Sequence, residues 1–346
     1  MENLILKQDK KSGHIILNRP DKINSLTHEM IVEIDKKLIQ WEKDESVTHI
    51  LMYGFGTRGF CAGGDMRVYY DNRHRAVEVA KEFFPSEYDM ALRIINYPKP
   101  IVAFLDGIVM GGGVGISFGA SHKIVTEKTK WAMPEVNIGF FPDVGGTFFM
   151  NEIPEEMARY ISFLAKFLTG DDVLFLGFAD KKVLSADLAE INKEITALES
   201  ENTFLEIDNI IEKFQQPAQI SYLEKNQEKI VKYFSGDSVH EIINKLKDGA
   251  DSGDMWASET LKEMRKKSLL SQYVIFEQFK RGKELSIEEA FEMEVTLSLN
   301  FMDNPDFFEG LRSVLVDKNE ADWMYKNPED ISKELVEKFF TKKRPD

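Results

Sequence analysis

The sequence predicts an α/β fold in its first part, continued by a long helical region, and three observations carry that expectation. Up to about Gly145, apolar segments of strand length alternate with segments whose apolar residues recur at helical spacing. The strand-then-helix order comes round more than once within that stretch. From Gly145 to Phe340 helical periodicity prevails, broken near Pro217, Gly236, Gly253 and Pro305, with no fixed-period repeat and no low-complexity run. The 346 residues, 43% of them apolar, suffice for a sizeable core and for one large domain or two. Pro217 is the best internal boundary, and it separates an α/β core, residues 1–216, from a helical C-terminal region, residues 217–346.

Leu4 to Lys7 and His14 to Leu17 read as a hairpin joined by the polar turn Gln8 to Gly13. Thr27 is placed to cap a helix whose apolar positions Ile31, Ile34, Leu38 and Trp41 carry it to about Lys43. A β-β-α unit results. His49 to Tyr53 is the next strand, followed by a loop with five glycines, Gly54 to Gly64, and then polar helical sequence. Ile101 to Leu105 is a further strand; a glycine-opened helix, Gly111 to Ala120, leads into the strand Lys123 to Thr126. The charged tail from Pro328 ends in an amphipathic helix around Ile331 to Phe340.

Charge and cysteine content exclude several classes of function. With 59 acidic and 44 basic side chains the net charge is −15, and no basic cluster stands out, so a nucleic-acid partner is not expected. One cysteine, Cys61, leaves no intrachain disulfide and no multi-cysteine metal site, and it fits a reducing, cytoplasmic compartment. The N-terminal segment lacks the apolar run of a secretory leader, and the most hydrophobic glycine-rich stretch, Ile101 to Ala120, is interrupted by Asp106 and six glycines. No membrane span is expected.

Three segments could carry chemistry. Gly111-Gly112-Gly113-Val114-Gly115 opens a helix after a strand and its loop, where free N–H groups and the positive dipole end suit an anion or a developing oxyanion. It matches neither a dinucleotide fingerprint nor a phosphate-binding loop, and close helix packing explains a glycine triplet equally well. The overlapping Gly115-Ile116-Ser117-Phe118-Gly119 matches the form of a nucleophile elbow, but Ser117 falls well inside the helical segment rather than at a sharp turn, and neither His122 nor His240 sits in a telling context. The second segment, Phe60-Cys61-Ala62-Gly63-Gly64-Asp65, follows a strand and exposes backbone, with Asp65 placed to cap the next helix. Two such loops could each donate one N–H to a single oxyanion, as acyl-transfer sites require. The third, Met133 to Gly146, sets Glu135 and Asp143 in an apolar loop where burial makes a carboxylate costly without a role. Either could be nucleophile, base or acid, and the pair in one apolar loop favours that over the alternative in which Glu135 marks a turn after Pro134 and Asp143 caps a helix beginning near Gly145.

These segments in this order resemble the crotonase (enoyl-CoA hydratase/isomerase) superfamily, whose members bind acyl-CoA thioesters. The resemblance rests on Asn18-Arg19-Pro20 with Asn24-Ser25-Leu26, Cys61 to Asp65, Asp106-Gly107 with the Gly111 triplet, and Pro134-Glu135 with Gly139. Met110 to Ser117, Met133 to Gly146, Phe308-Glu309-Gly310-Leu311-Arg312 and Val316-Asp317-Lys318 are similar to its 3-hydroxyisobutyryl-CoA hydrolase branch, so the resemblance covers nearly the whole chain.

The resemblance implies a crotonase-like spiral of β-β-α turns followed by an extended helical C-terminal region. It implies an oxyanion hole from the N–H groups of Gly64 and Gly112, and places Lys22, Ala62, Gly63 and Asp65 beside the CoA moiety. It also implies a thioester hydrolase in valine degradation, in which Glu135 is nucleophile or general base and Asp143 its partner, with Glu87, Gly112, Glu135 and Asp143 touching the substrate. Hydratases use two glutamates, and the first of those positions is Gly115 here, which argues against water addition to a double bond. Glu87 matches a Glu-Tyr pair of the hydrolase branch; read from the residues alone, Ser86 and Asp89 form a capping-box-like helix start with Glu87 in the first turn. No metal or redox cofactor is implied, since coenzyme A is part of the substrate. A homo-oligomer is open, as crotonases often form trimers. The alternatives are an enoyl-CoA hydratase or isomerase, and a non-catalytic crotonase-like binding or scaffold protein.

Overall fold

The computed structural model describes residues 2–199 and 202–342. The N-terminal hairpin forms from β1, Leu4–Asp9, and β2, Ser12–Leu17, paired antiparallel. Its turn is tighter than the polar composition of Gln8 to Gly13 suggests, because the ladder extends to Asp9 opposite Ser12. The helix His28–Lys43 starts at Thr27, whose hydroxyl accepts from Met30 N at 3.3 Å, and it buries Ile31, Ile34, Leu38 and Trp41. Trp41 packs on β2 at Gly13, where a Cβ would meet the indole ring at 3.0 Å.

The remaining strands come mostly in pairs. They are β3, His49–Gly54, with β4, Gly59–Cys61; β5, Ile101–Leu105, with β6, Ile108–Met110; β7, His122–Thr126, with β8, Lys130–Ala132; then β9, Leu168–Thr169, and β10, Lys181–Val183. The first member of each pair joins a six-stranded sheet in the order β1-β2-β3-β5-β7-β10, and the second joins a four-stranded sheet in the order β4-β6-β8-β9. Each β-β-α turn thus adds one strand to each sheet, which is the expected spiral. Parallel pairing of β2, β3, β5 and β7 buries both faces of the large sheet, as the wholly buried β2 and β5 show. Leu51, Val102, Phe104 and Ile124 pack there against Ile191, Ile195 and Ile207 of the following helices.

Two sequence expectations fail here. Strands β4, β6 and β8 are three residues long, too short for a periodic signal, so the stretch read as one long loop after His49–Gly54 contains β4. The chain after Gly145 is also not uniformly helical, because β9 and β10 add to the edges of the two sheets.

The chain gathers into two compact units that interleave along the sequence. One contains residues up to Asp65, Ser86–Ala132 and Phe167–Lys225, and holds both sheets; the other contains Met66–Pro85, Met133–Lys166 and the chain from Asn226 on, and is helical. Pro217 lies in the coil between the helices Thr203–Glu212 and Tyr222–Phe234. In the helical unit the final helix is Lys333–Phe340, capped by Ser332, and Ile331 lies just before it. No helix among the described residues is long and apolar enough to cross a membrane.

Candidate active site

The three motif segments leave the small sheet from matching strand ends. Because β4, β6 and β8 run parallel, with Cys61 beside Val109 and Met110 beside Ala132, their carboxyl ends lie side by side. Carboxyl ends of parallel strands are where open α/β sheets place ligands. Cys61 leads to Gly64, Met110 leads to Gly112, and Ala132 stands three residues before Glu135.

The first loop is fixed by the N-terminal motif. Ala62 N donates to Ile23 O at 2.9 Å, Leu26 N to Gly63 O at 2.8 Å and Asp65 N to Leu26 O at 2.8 Å. Ile23 and Asn24 sit at φ of 49° and 57°, and Asn24 holds this bend by donating to Phe55 O and Gly59 O while accepting from Arg19 N. Arg19 also donates to Ser25 O at 2.7 Å and pairs with Asp65 at 2.8 Å. Asp65 therefore braces the loop through Arg19; the helix Arg67–Asp71 has Met66 at its N-cap and no side-chain cap bond, contrary to the capping expected of Asp65. Lys22 ends the exposed turn Pro20–Lys22, and Ala62 is half-buried beside the buried Gly63.

The two glycine loops then meet. A Cβ on Gly63, at φ 95°, would lie 3.3 Å from Gly112 N, and a Cβ on Gly112 would lie 3.3 Å from Gly64 N. The loop hydrogen bonds among the described residues engage their neighbours, Gly63 N to Cys61 Sγ, Asp65 N to Leu26 O and Gly111 N to Ala132 O, and not the N–H groups of Gly64 and Gly112. Two backbone donors on adjacent loops can polarise one carbonyl oxygen. Ser117 belongs to the helix Gly112–Phe118 and donates to Gly113 O at 2.8 Å, so it is a buried helix residue and not an elbow nucleophile. Burial pushes the Cys61 thiol up to about 12, which leaves it inert as a nucleophile.

Glu87 departs from the residue-level expectation. The helix runs unbroken from Ala76 to Ile95 with Pro85 inside it, so Glu87 is a mid-helix residue and not part of a capped first turn. It is 2% exposed, and its Oε1 occupies the space that a Cβ on Gly112 would need. Ser86, the supposed cap, contacts His28 Nε2 at 3.2 Å instead. Glu87 thus lies against the Gly112 loop, where the two glycine loops meet.

The carboxylate loop lies in the helical unit. Glu135 opens the turn Glu135–Ile138, and both Glu135 and Asp143 are buried, at 7% and 6% exposure. Between them Phe140 and Phe141 stack into an aromatic cluster, with Phe140 5.7 Å from Phe84 and 5.4 Å from Phe307, and Phe141 5.4 Å from Phe301. Gly139, at φ 65°, lets Asp306 O approach, and Gly310 lies against the backbone of Ile138. That contact accounts for the glycine in the C-terminal motif Phe308 to Arg312.

Asp143 does not cap the helix Gly146–Phe149 with its side chain. Glu294 does so from the helix Ile287–Phe301, with Oε2 accepting from Gly145 N at 2.8 Å and Oε1 from Thr147 N at 2.7 Å. Gln278 adds bonds to Pro142 O at 2.7 Å and Thr147 Oγ1 at 2.9 Å. Neither residue is singled out by the sequence reading. The available signal was a carboxylate at helical spacing from Phe291 and Leu297, on the face its helix buries.

The described residues hold no group of three or more His, Cys, Asp and Glu suited to a metal ion. A family model described as enoyl-CoA hydratase/isomerase matches residues 12–340. The chain belongs to the enoyl-CoA hydratase/isomerase family. Among its relatives in that family, the mitochondrial 3-hydroxyisobutyryl-CoA hydrolase of Gallus gallus is 35% identical, over 98% of this chain and 88% of its own length. The small ribosomal subunit protein mS47 of Neurospora crassa is 35% identical over 87% of this chain and 63% of its own length. The crystal structure of a carnitinyl-CoA dehydratase from Mycobacterium thermoresistibile matches with a TM-score of 0.93 at 32% identity, covering 100% of this chain and 98% of that one. The crotonase-like fold with a long helical C-terminal region, expected from the motifs, is thereby borne out.

Proposed function

We propose that this protein hydrolyses the thioester bond of an acyl-CoA, with 3-hydroxyisobutyryl-CoA as substrate and valine degradation as its setting. The observation that carries the reading is Gly115. It stands buried in the helix Gly112–Phe118 at the position where the resemblance puts a hydratase's first glutamate, and leaves Glu135 and Asp143 as the carboxylates. The name of the Gallus gallus relative supports the same substrate.

In this reading the N–H groups of Gly64 and Gly112 receive the thioester oxygen as it gains charge. Glu135 attacks the carbonyl carbon, the C–S bond breaks, and a mixed anhydride and CoA thiolate result; water then cleaves the anhydride. In the equivalent base route Glu135 takes a proton from water, which attacks directly. Asp143 carries the proton that reaches the departing sulfur. Glu87 accepts a hydrogen bond from the 3-hydroxyl, while Lys22, Ala62, Gly63 and Asp65 lie along the CoA moiety, Asp65 through its hold on Arg19. This chemistry calls for no metal or redox cofactor. We place the protein in a reducing compartment, the cytoplasm, on its single buried thiol.

Free-thiol release from a panel of acyl-CoAs tests the reading. Rapid release from 3-hydroxyisobutyryl-CoA with little hydration of crotonyl-CoA is expected. The reverse ranking would favour hydratase chemistry, to which the name of the similar dehydratase points. Turnover of neither would favour a non-catalytic component, a reading that the similarity to a ribosomal protein keeps in view.

A further inference from the structure

A carboxyl group with no exposure to solvent and, among the described residues, no cation beside it is costly to ionise, and Glu294 is such a group. The groups that act on it are the N–H of Gly145, the N–H and hydroxyl of Thr147, and the carboxylate of Asp143. They surround a strained turn. Val144, next to Asp143, sits at φ 52°, a left-handed conformation that a β-branched residue adopts only when its surroundings enforce it. Glu294 holds the turn after Val144 through Gly145 N and Thr147 N, and Gln278 holds it before Asp143 through Pro142 O.

We propose that Glu294, seconded by Gln278, is a positioning residue that clamps the strained turn carrying Asp143 in the geometry that thioester hydrolysis requires. This rests on the hydrolase reading above. A plain helix cap needs no ionisable group, whereas Glu294 lies within electrostatic reach of Asp143, the carboxylate that is to manage the proton. Burial pushes the Glu294 carboxyl up to about 8, against the lowering effect of its two N–H donors. At neutral pH it therefore keeps its proton and adds no charge beside Asp143. Above pH 8 it ionises, and a negative charge beside Asp143 strengthens the hold of Asp143 on its proton, which slows delivery of that proton to the departing thiolate.

The test is the pH profile of kcat for thiol release from 3-hydroxyisobutyryl-CoA, in the wild type and in Glu294→Gln. Wild-type kcat is expected to fall about tenfold as pH rises from 7 to 9.5, centred near 8. Glu294→Gln, which loses one of the two acceptors and cannot ionise, should lower kcat at pH 7 about tenfold, leave KM within about twofold, and show no fall near pH 8. A level wild-type profile, or the same fall in the variant, overturns the proposal. If the variant does not fold, the wild-type profile decides alone. Amide hydrogen exchange at Gly145 and Thr147 needs no turnover: faster exchange in Glu294→Gln supports the clamp, and unchanged protection overturns it. A protein that releases thiol from no acyl-CoA sinks the hydrolase reading and leaves that exchange measurement still able to judge the clamp.

Discussion

The glycine loops and the carboxylate loop differ in what they present and in what holds them. Cys61 to Gly64 and Gly111 to Gly113 offer backbone N–H groups, and are fixed by nearby strand ends and by a bend some forty residues earlier. Glu135 to Gly146 offers side chains, and is fixed by Gln278, Glu294, Asp306 and Gly310, which come far later in the chain. A receptor made of backbone tolerates changes of side-chain chemistry but not an added Cβ. A loop made of carboxylates tolerates isosteric packing but not loss of charge. The long C-terminal region supplies the hydrogen bonds and backbone contacts for a loop that would otherwise have to hold two buried acids unaided.

The largest effect should come from adding a Cβ to the backbone receptor. In Gly112→Ala the new methyl group would occupy the space of Glu87 Oε1 and crowd Gly64 N. Displacing one oxyanion donor costs about 10²–10³-fold in kcat, and that loss is expected here with the fold retained, because the atom met is the end of a side chain. Near-normal kcat with circular dichroism unchanged would show that Gly112 is a packing glycine and not a donor.

Charge removal is the converse experiment on the other region. Glu135→Gln and Asp143→Asn preserve shape, and each should lower kcat by at least about 10²-fold while the melting temperature stays close to that of the wild type. Wild-type turnover in either variant sinks that assignment. Since Glu294 and not Asp143 caps the helix Gly146–Phe149, a large fall in melting temperature for Asp143→Asn would contradict the capping geometry as well.

The same contrast governs how much was legible in the sequence. The first loop and its brace lie within about fifty residues, and the glycines and small side chains of both loops mark exposed backbone, so their close approach was foreshadowed in the sequence. The strands β4, β6 and β8, which align the three segments, could not, because three residues carry no period. The clamp on Asp143 was hidden for another reason. Glu294 sits 151 positions after Asp143, in a helix whose other acids Glu288, Glu289 and Glu292 are solvent-facing, and only the packing distinguishes it from them. Asp65 and Ser86 misled in the same way: each is a good capping type in a good place, but Arg19 engaged the first and a helix continuing through Pro85 absorbed the second. Local propensity proposes a cap, and tertiary partners decide.

Glu87 gives the smallest expected effect and the sharpest comparison, because it is a side chain set against the Gly112 loop. Its carboxylate lies against Gly112 and is 2% exposed, so whatever reaches the two donors also reaches it. An acyl group with a 3-hydroxyl can donate to Glu87, whereas one without it forgoes that hydrogen bond, and the difference is worth on the order of 1–3 kcal/mol. Glu87→Ala should therefore lower kcat/KM for 3-hydroxyisobutyryl-CoA about 10–100-fold more than for isobutyryl-CoA, narrowing the ratio between them. Glu87→Gln, which can still accept through its amide oxygen, should recover part of the preference. Equal losses on the two substrates would mean that Glu87 supports the Gly112 loop sterically and does not read the hydroxyl.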